Sequence, residues 1–163
     1  MTKNVSKRQH PVKRRERLER TAAGDAVSEL VVHVFRLNGL LIAMGDAMAR
    51  PTGQTSARWR VLAAIDEAPL SVAQIARAWW LTRQSVQRVA DVLVRDGLAT
   101  YEDNPSHRRA KLVRITPQGL SALRAIRTRQ REWADALAAG LHEADVRTAN
   151  EVLAGVISAL TRP

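Results

Sequence analysis

The sequence predicts a mainly α-helical protein built around a winged helix-turn-helix with a small two-stranded β-wing. Between Ser71 and Gly97, two short amphipathic segments each begin at a capping residue. After Gly97 the hydrophobic period changes from helical to alternating, which is typical of strands. Near both ends of the chain, apolar residues recur at spacings of three and four, as in helices that pack along another helix. We therefore expect flanking N- and C-terminal helices that form a helical dimerisation domain.

The helix-turn-helix is predicted from capping signals and apolar periodicity. Ser71 is a candidate N-cap with Gln74 three residues on, which is a capping box. Thr82 is a candidate N-cap of the second helix, and Gly97 stands where a left-handed residue would end that helix. The predicted buried residues are Val72, Ile75 and Ala76 in the first helix, and Val86, Val89, Ala90, Leu93 and Val94 in the second.

A β-hairpin is predicted directly after the second helix. Residues 98–101 and 111–115 are predicted to be its two strands, and Asn104-Pro105 between them is typical of a turn. Thr116-Pro117 then combines an N-cap with a proline at the first helical position. Helix, helix, hairpin and helix in this order is the arrangement of a winged helix.

The flanking helices are predicted from their apolar seams. Residues 50–53 end the first helix, Thr55 or Ser56 begins a shorter one, and Gly140 ends the long helix after the wing. The first seam needs a partner, either the C-terminal helices of the same chain or those of a second chain. The inward-facing residues are Val27, Leu30, Val34, Leu37, Leu41, Met44 and Met48 in the first helix, Trp59, Leu62, Ala63 and Ile65 in the short helix, Leu120, Leu123, Ile126, Trp133 and Leu137 after the wing, and Val146, Ala149, Leu153, Val156 and Leu160 in the last helix.

The charge balance favours a polyanionic partner. The formal net charge is +10 over 163 residues, and residues 1–20 contribute +6 of it, with eight Lys or Arg against two Glu. We expect this basic tail to be disordered or only partly helical when it is free. It is either a solvated tail or a basic arm that adds phosphate contacts and steepens the salt dependence of binding.

The polar face at the start of the second helix indicates contact with the base edges of double-stranded DNA. A helix in the major groove reads bases mainly with residues near its N-terminus, where Gln can pair with adenine and Arg with guanine. The alternative is an ordinary solvated helix face, which the neighbouring helix and hairpin disfavour. The candidate residues are Thr82, Arg83, Gln84, Ser85, Gln87 and Arg88.

The tip of the hairpin is the second candidate contact with DNA. A narrow minor groove attracts arginine because its negative potential is enhanced, and we expect at least one of Arg108 and Arg109 to project outward. The alternative is a loop that its charges keep soluble. The candidate residues are His107, Arg108, Arg109 and Lys111.

Segments 71–93 and 96–119 resemble the helix-turn-helix and the wing of the MarR family of bacterial transcription regulators, and the resemblance extends over most of 27–160. It implies a homodimer that binds a pseudo-palindromic DNA site, with a helical dimerisation region at 21–54 and 117–163 and a DNA-binding region at 55–116. The family usually has an aspartate near the wing arginine. This chain has Ser106 and His107 there, with Asp103 close by, which leaves the orientation of the arginine open.

The resemblance also implies a ligand-responsive repressor. MarR-like proteins often bind small aromatic or phenolic acids in a cavity between the dimer helices and the winged domain, and release DNA when they do. For each residue of such a cavity, the alternative is a packing or surface role. The residues that would line it are His33, Arg36, Leu37, Leu40, Trp59 and Arg60.

Metal, redox and catalytic chemistry find little support. The chain has no cysteine, which excludes disulfides, cysteine-ligated metals and thiol redox sensing. Its four histidines are scattered without a second ligand at helical spacing, so we expect no metal site and no cofactor. No nucleophile elbow, phosphate loop or HExxH pattern occurs. We therefore expect no catalytic residues and no enzyme activity.

Three further expectations concern location, the helix-turn-helix turn and function. No apolar run approaches the roughly 20 residues of a membrane span, so we expect a cytoplasmic protein without a membrane partner. Trp79-Trp80 fall in the turn, where we expect one to pack inside the domain. The alternatives to a ligand-responsive repressor are an effector-independent activator, an architectural DNA-binding protein and a helical protein-interaction module.

Overall fold

Six α-helices and a three-stranded antiparallel sheet make up the described part of the chain. A computed structural model describes residues 21–107 and 109–162, so the predicted basic tail at 1–20 and Arg108 lie outside the described residues. The elements are α1 (Ala22–Ala49), a 3-10 helix (Arg50–Thr52), α2 (Ser56–Ala64), β1 (Leu70–Ser71), α3 (Val72–Ala78), α4 (Arg83–Arg95), β2 (Ala99–Glu102), β3 (Leu112–Ile115), α5 (Pro117–Ala138) and α6 (Glu143–Thr161).

The chain forms two compact units whose boundary falls inside α1, between Gly39 and Leu40. In the first unit, Thr21 precedes α1 and its Oγ1 accepts a hydrogen bond from Gly24 N at 3.1 Å. None of the described residues of this unit is buried. The apolar seam predicted from Val27 onward is therefore largely exposed in the first unit taken by itself.

The second unit contains the aliphatic core of the protein. Helices α2 to α5 and the sheet contribute to it, and α5 supplies Leu123 and Ile126, which are both fully buried. Leu62 and Ile65 of the predicted buried side of α2 are buried as well, whereas Trp59 and Ala63 are only half-buried. The other fully buried large side chains are Val61, Ile75, Val86, Leu93 and Val113.

The starts of helices α2 to α5 are fixed by local capping, as the sequence predicts. Ser71 and Gln74 form the reciprocal capping box of α3, in which Ser71 N donates to Gln74 Oε1 at 2.8 Å. Gly97 adopts φ +75°, so the left-handed residue predicted at the end of α4 is confirmed. Three threonine hydroxyls cap further helices: Thr55 caps α2, Thr82 caps α4, and Thr116 caps α5.

The sheet has three strands in the order β1-β3-β2, whereas the sequence predicts the two wing strands alone. The extra strand β1 pairs antiparallel with β3, with Leu70 opposite Val113 and Ser71 opposite Leu112. A strand of two residues is too short to show an alternating pattern. Its second residue, Ser71, also carries the capping signal of α3, which is what the sequence indicates there.

The expectation that one tryptophan of the helix-turn-helix turn packs inside the domain is wrong. Trp79 is 42% exposed and Trp80 is 74% exposed. Leu81 packs against the core instead, and its N–H donates to Ala76 O at 2.9 Å. Trp80 has φ +53°, which is unusual for a residue with a side chain.

The predicted inward face of the last two helices is only partly covered. Leu120 and Trp133 of α5 are half-buried, but Leu137 is 52% exposed, so its predicted inward position is wrong for the single chain. No residue of α6 is buried. The apolar residues of α6 therefore have little cover within the second unit.

By length and composition alone, one described helical segment, Ala22–Thr52, could cross a membrane. The expectation that no apolar run approaches that length is therefore wrong on this measure. One 18-residue stretch within the segment is apolar enough for this and contains at most two charged residues. Length and apolarity are a weak indication of spanning, because a packing helix of a soluble protein has both.

Candidate nucleic-acid interface

The start of α4 presents the polar residues predicted for base contact. Thr82 caps the helix by accepting a hydrogen bond from Ser85 N at 3.1 Å. Val86 and Ala90 are buried against the core, which turns the opposite side of the helix outward. The exposed residues of this stretch are Thr82, Arg83, Gln84, Ser85, Gln87 and Arg88.

Three side chains tie α4 to the wing. Tyr101 of β2 donates its hydroxyl proton to Asp91 Oδ1 at 2.6 Å. Gln87 Nε2 lies 2.8 Å from the same carboxylate oxygen and 2.7 Å from the Tyr101 hydroxyl. The hydrogen bonds from Tyr101 and then Gln87 lower the pKa of Asp91. Burial, followed by the bond to Asp91, raises the pKa of Tyr101 to about 12.

The wing is a hairpin of β2 and β3, and backbone and side-chain hydrogen bonds shape its turn from Asn104 to His107. Asn104 Oδ1 accepts from Ser106 N at 3.0 Å, and Asn104 O accepts from His107 N at 3.1 Å. Across the strands, Arg114 Nη2 donates to Glu102 Oε1 at 3.0 Å. His107, Arg109 and Lys111 are exposed in this hairpin, and Arg108 lies outside the described residues.

A groove of about 650 Å³ runs between α3, the start of α4 and the wing. Its charged lining residues are Arg83, Arg109 and Lys111, and no Asp or Glu is found among the described residues that line it. Within the described chain, none of these three cations pairs with a carboxylate. We call this surface the cationic groove. Its other lining residues are Ser71, Val72, Ala73, Gln84, Gln87, Tyr101 and Ala110.

A second cavity, of about 660 Å³, extends this basic surface along α3 and the wing turn. Arg83 and Arg109 line both cavities, and Arg77 and His107 line the second. The structure thus brings together residues from both predicted contact regions. Arg88 and Ser85 are exposed on α4 but line neither of these two cavities.

The sequence prediction missed Arg77 and Tyr101, which line these cavities, and Asp91, which accepts hydrogen bonds from Gln87 and Tyr101. Asp91 stands four residues after Gln87 on α4, a spacing that places the two on one helix face. That signal could have linked Gln87 to Asp91. Tyr101 has no comparable signal, because only the crossing of β2 over α4 brings its hydroxyl to Asp91.

The residues predicted to line an effector cavity are divided between the two units. In the first unit, His33, Arg36 and Leu37 are exposed on α1, and His33 Nε2 lies 3.7 Å from Glu29 Oε1. In the second unit, Leu40 is exposed and Trp59 and Arg60 of α2 are half-buried. Across the described residues, no group of three His, Asp or Glu side chains is placed to hold a metal ion.

Comparison with known proteins identifies the family. A MarR family model matches residues 52–110, which include the helix-turn-helix and part of the wing. Uncharacterized proteins of Mycobacterium bovis and Mycobacterium tuberculosis are 39% identical over 136 residues, or 83% of this chain and 95% of theirs. The chain belongs to the MarR family.

Solved structures of MarR family regulators share the fold. The MarR family transcription regulator SP03579 superposes with a TM-score of 0.74 at 20% identity, over 83% of this chain and 91% of that one. A mutant MarR of E. coli complexed with operator DNA has a TM-score of 0.73 at 20% identity, over 81% and 96% of the two chains. CouR of Rhodococcus jostii bound to p-coumaroyl-CoA has a TM-score of 0.70 at 20% identity, over 78% and 90%.

Proposed function

We propose that this MarR family protein is a homodimeric, sequence-specific transcription regulator that binds a pseudo-palindromic site in double-stranded DNA. The cationic groove carries the proposal. It joins the exposed start of α4 to basic residues of the wing, and its described lining has no acidic residue. Duplex DNA, with its dense row of phosphates, is the polyanion that such a surface attracts. The protein would act as a regulator rather than as an enzyme, in the cytoplasm.

In this proposal α4 enters the major groove and the wing lies along the adjacent minor groove. Arg83, Gln84, Gln87 and Arg88 are exposed on the first two turns of α4, where a recognition helix meets base edges. The basic wing residues, His107, Arg109 and Lys111, together with Arg108, would contact phosphates or the narrow groove. Two family structures of the same fold are complexes with DNA, which supports this arrangement.

We propose further that 21–54 and 117–163 form the dimerisation region and 55–116 the DNA-binding region. The exposed apolar residues of α6 support a partner for that helix, and a second copy is the partner that the family resemblance implies. Because α5 also supplies Leu123 to the core of the winged unit, each DNA-binding region would be firmly joined to the dimerisation region. Two-fold symmetry would place the two α4 helices in successive major grooves, about 10 base pairs apart.

The proposed direction of control is repression that a small aromatic or phenolic acid relieves. CouR, a structural relative, binds p-coumaroyl-CoA, which supports a ligand of this class. Such a ligand can weaken DNA binding only as far as it binds the two conformations of the dimer with different affinities. The cavity that binds this ligand would be lined by His33, Arg36, Leu37, Leu40, Trp59 and Arg60.

The test compares the affinity for DNA from around the protein's own gene with that for random DNA, across a salt series. The variants are Gln87→Ala, Arg109→Ala, Arg108→Ala and a chain lacking residues 1–20. Arg147→Ala is the matched charge control, because Arg147 pairs with Glu143 on α6, at 2.6 Å and away from the cationic groove. We expect selective binding of one DNA. Arg109→Ala should reduce the salt slope by about one, as expected for one lost phosphate contact.

The outcomes separate the functional alternatives. Selective binding that Gln87→Ala and Arg109→Ala weaken, and Arg147→Ala does not, supports the regulator. Equal binding of both DNAs that is lost with residues 1–20 indicates an architectural protein, and no DNA binding indicates a protein-interaction module. If the protein is a regulator, phenolic acids and aromatic acyl-CoA thioesters are then titrated into it, and ligand binding and operator affinity are measured. If none binds saturably or shifts the operator affinity, the regulator is effector-independent.

A further inference from the structure

Gln87 is the one predicted base-reading residue whose side chain the wing holds in place. Its amide nitrogen lies 2.8 Å from Asp91 Oδ1 and 2.7 Å from the Tyr101 hydroxyl, within the described residues. Tyr101 in turn donates to Asp91 at 2.6 Å. The side chain is exposed and lines the cationic groove, as Arg83 and Arg109 do. Its amide is therefore oriented before any DNA arrives.

The chemistry of the two partners decides which end of the amide faces them. The pKa of Asp91 is lowered, so its carboxylate is ionised near neutral pH and can only accept hydrogen bonds. The Tyr101 hydroxyl gives its single proton to that carboxylate and is left with acceptor capacity. A carbonyl oxygen placed at this position would face two acceptors. The nitrogen of Gln87 must therefore point toward Asp91 and Tyr101, and the oxygen away from them.

The oxygen end of the amide is the end that remains for recognition. No hydrogen bond to Gln87 Oε1 is formed by the described residues. An amide oxygen accepts and cannot donate, so its complement on a base edge is an amino group. In the major groove, adenine offers such a group at N6 and cytosine at N4, whereas guanine and thymine offer acceptors at O6 and O4. The familiar two-bond contact with adenine also needs an amide N–H directed at N7, and this nitrogen is turned toward Asp91.

We propose that Gln87 is a specificity-determining residue that reads one exocyclic amino group through Oε1, and therefore accepts adenine or cytosine and rejects guanine and thymine. Tyr101 and Asp91 are the positioning residues that restrict Gln87 to this single contact. The inference rests on the proposed function, since it requires α4 to lie in the major groove. It adds a base preference that the presence of a glutamine alone does not specify.

The experiment selects the preferred DNA site from a random pool and then tests base analogues at the position that Gln87→Ala relaxes. With wild-type protein, we expect adenine and cytosine to be nearly interchangeable there. Removing the 6-amino group of the adenine should weaken binding about five- to tenfold, the effect of one hydrogen bond. Replacing the adenine by 7-deazaadenine should leave affinity within about twofold, because N7 receives no bond from the amide.

Tyr101→Phe and Asp91→Ala each remove one of the two acceptors of the amide nitrogen, and so free one of its two N–H groups. We expect both variants to prefer adenine over cytosine and to become sensitive to 7-deazaadenine, a change in base preference that mere loss of stability does not produce. Thr100→Ala is the matched control, because Thr100 is exposed on the same strand and lies opposite Arg114. Circular dichroism establishes that each variant is folded, and two independent releasing variants guard against the failure of one.

Two results would overturn the inference and leave the proposed function intact. The first is selective binding in which 7-deazaadenine lowers the DNA affinity of the wild type as much as loss of the amino group does. That result would mean a two-bond contact. The second is selective binding with no position relaxed by Gln87→Ala. If the wild type selects no site at all, the proposed function fails and this inference fails with it.

Discussion

The Tyr101 hydroxyl lies 2.6 Å from Asp91 Oδ1 and joins strand β2 to the third turn of α4. This bond joins the wing to α4 through side chains, in addition to the core packing beneath them. Burial and this bond both favour the neutral hydroxyl, and they raise the pKa of Tyr101 to about 12. Because the pKa is raised in the folded state, the associated stability is present below pH 10, and it is lost as the pH rises toward 12.

Tyr101 should titrate well above an ordinary tyrosine. It is the single tyrosine of the chain, so tyrosinate absorbance in the near ultraviolet reports this group alone. We expect a midpoint near 12 in the folded protein and near 10 in urea, where the hydroxyl has its ordinary environment. In Asp91→Ala the midpoint should fall but stay above 10, because burial is the larger cause. A folded wild-type protein that titrates at the urea midpoint would contradict this network.

Gly119 is required at the start of α5 because there is no space for a side chain. A Cβ placed there would lie 2.0 Å from the backbone oxygen of Leu98 and 2.9 Å from Ile115 Cγ1. Since the first contact is with backbone, it cannot be relieved by rotating a side chain. We expect Gly119→Ala to lower the free energy of unfolding by about 2–3 kcal/mol, measured by urea denaturation.

Ser121→Ala is the control for Gly119→Ala. Ser121 is exposed two residues further along the same helix. Because alanine has the higher helix propensity, this change should leave stability unchanged or raise it by a few tenths of a kcal/mol, about the size of a propensity difference. Equal effects of the two substitutions would show that α5 does not approach Leu98 as closely as described.

The parts of the fold that local chemistry determines could be predicted from the sequence, and the parts that tertiary contacts determine could not. Ser71, Thr82 and Thr116 cap their helices through hydrogen bonds to residues three positions away, so their signals stand in the sequence itself. Strand β1 exists because Leu70 meets Val113 across the sheet. No pattern within two residues could indicate that pairing.

The same distinction applies to the candidate site. Periodicity places Arg83, Gln84 and Gln87 on the exposed side of α4, because Val86 and Ala90 must be buried. Periodicity does not indicate that the Gln87 amide is held by Tyr101, since the two are fourteen residues apart and meet only when β2 packs on α4. Loop conformation is equally hidden, and the left-handed φ of Trp80 falls at a position without glycine.

Trp80 imposes a conformational cost on the helix-turn-helix turn. Its φ of +53° lies in the left-handed region, which costs a residue with a side chain about 1–2 kcal/mol. The side chain is 74% exposed, so its removal sacrifices little buried area. We expect Trp80→Gly to be more stable than Trp80→Ala by about 1 kcal/mol, because both lose the indole and only glycine relieves the backbone. Thermal and urea unfolding measure the difference. Equal stability of Trp80→Ala and Trp80→Gly would refute the left-handed φ of Trp80.

The uncovered apolar side of α6 should make the protein a dimer through that helix. Leu160 is 81% exposed in the single chain and belongs to the predicted apolar seam, and burying one leucine contributes about 1.5–3 kcal/mol. Leu160→Glu should therefore raise the dimer dissociation constant at least about tenfold, as measured by sedimentation equilibrium. Ser158→Glu is the matched control, because Ser158 is also exposed on α6 but lies on the side of the helix away from the seam.

We expect Leu160→Glu also to weaken DNA binding, since a monomer contacts one half-site only. An unchanged dimer in Leu160→Glu would place the dimer contact elsewhere in the chain.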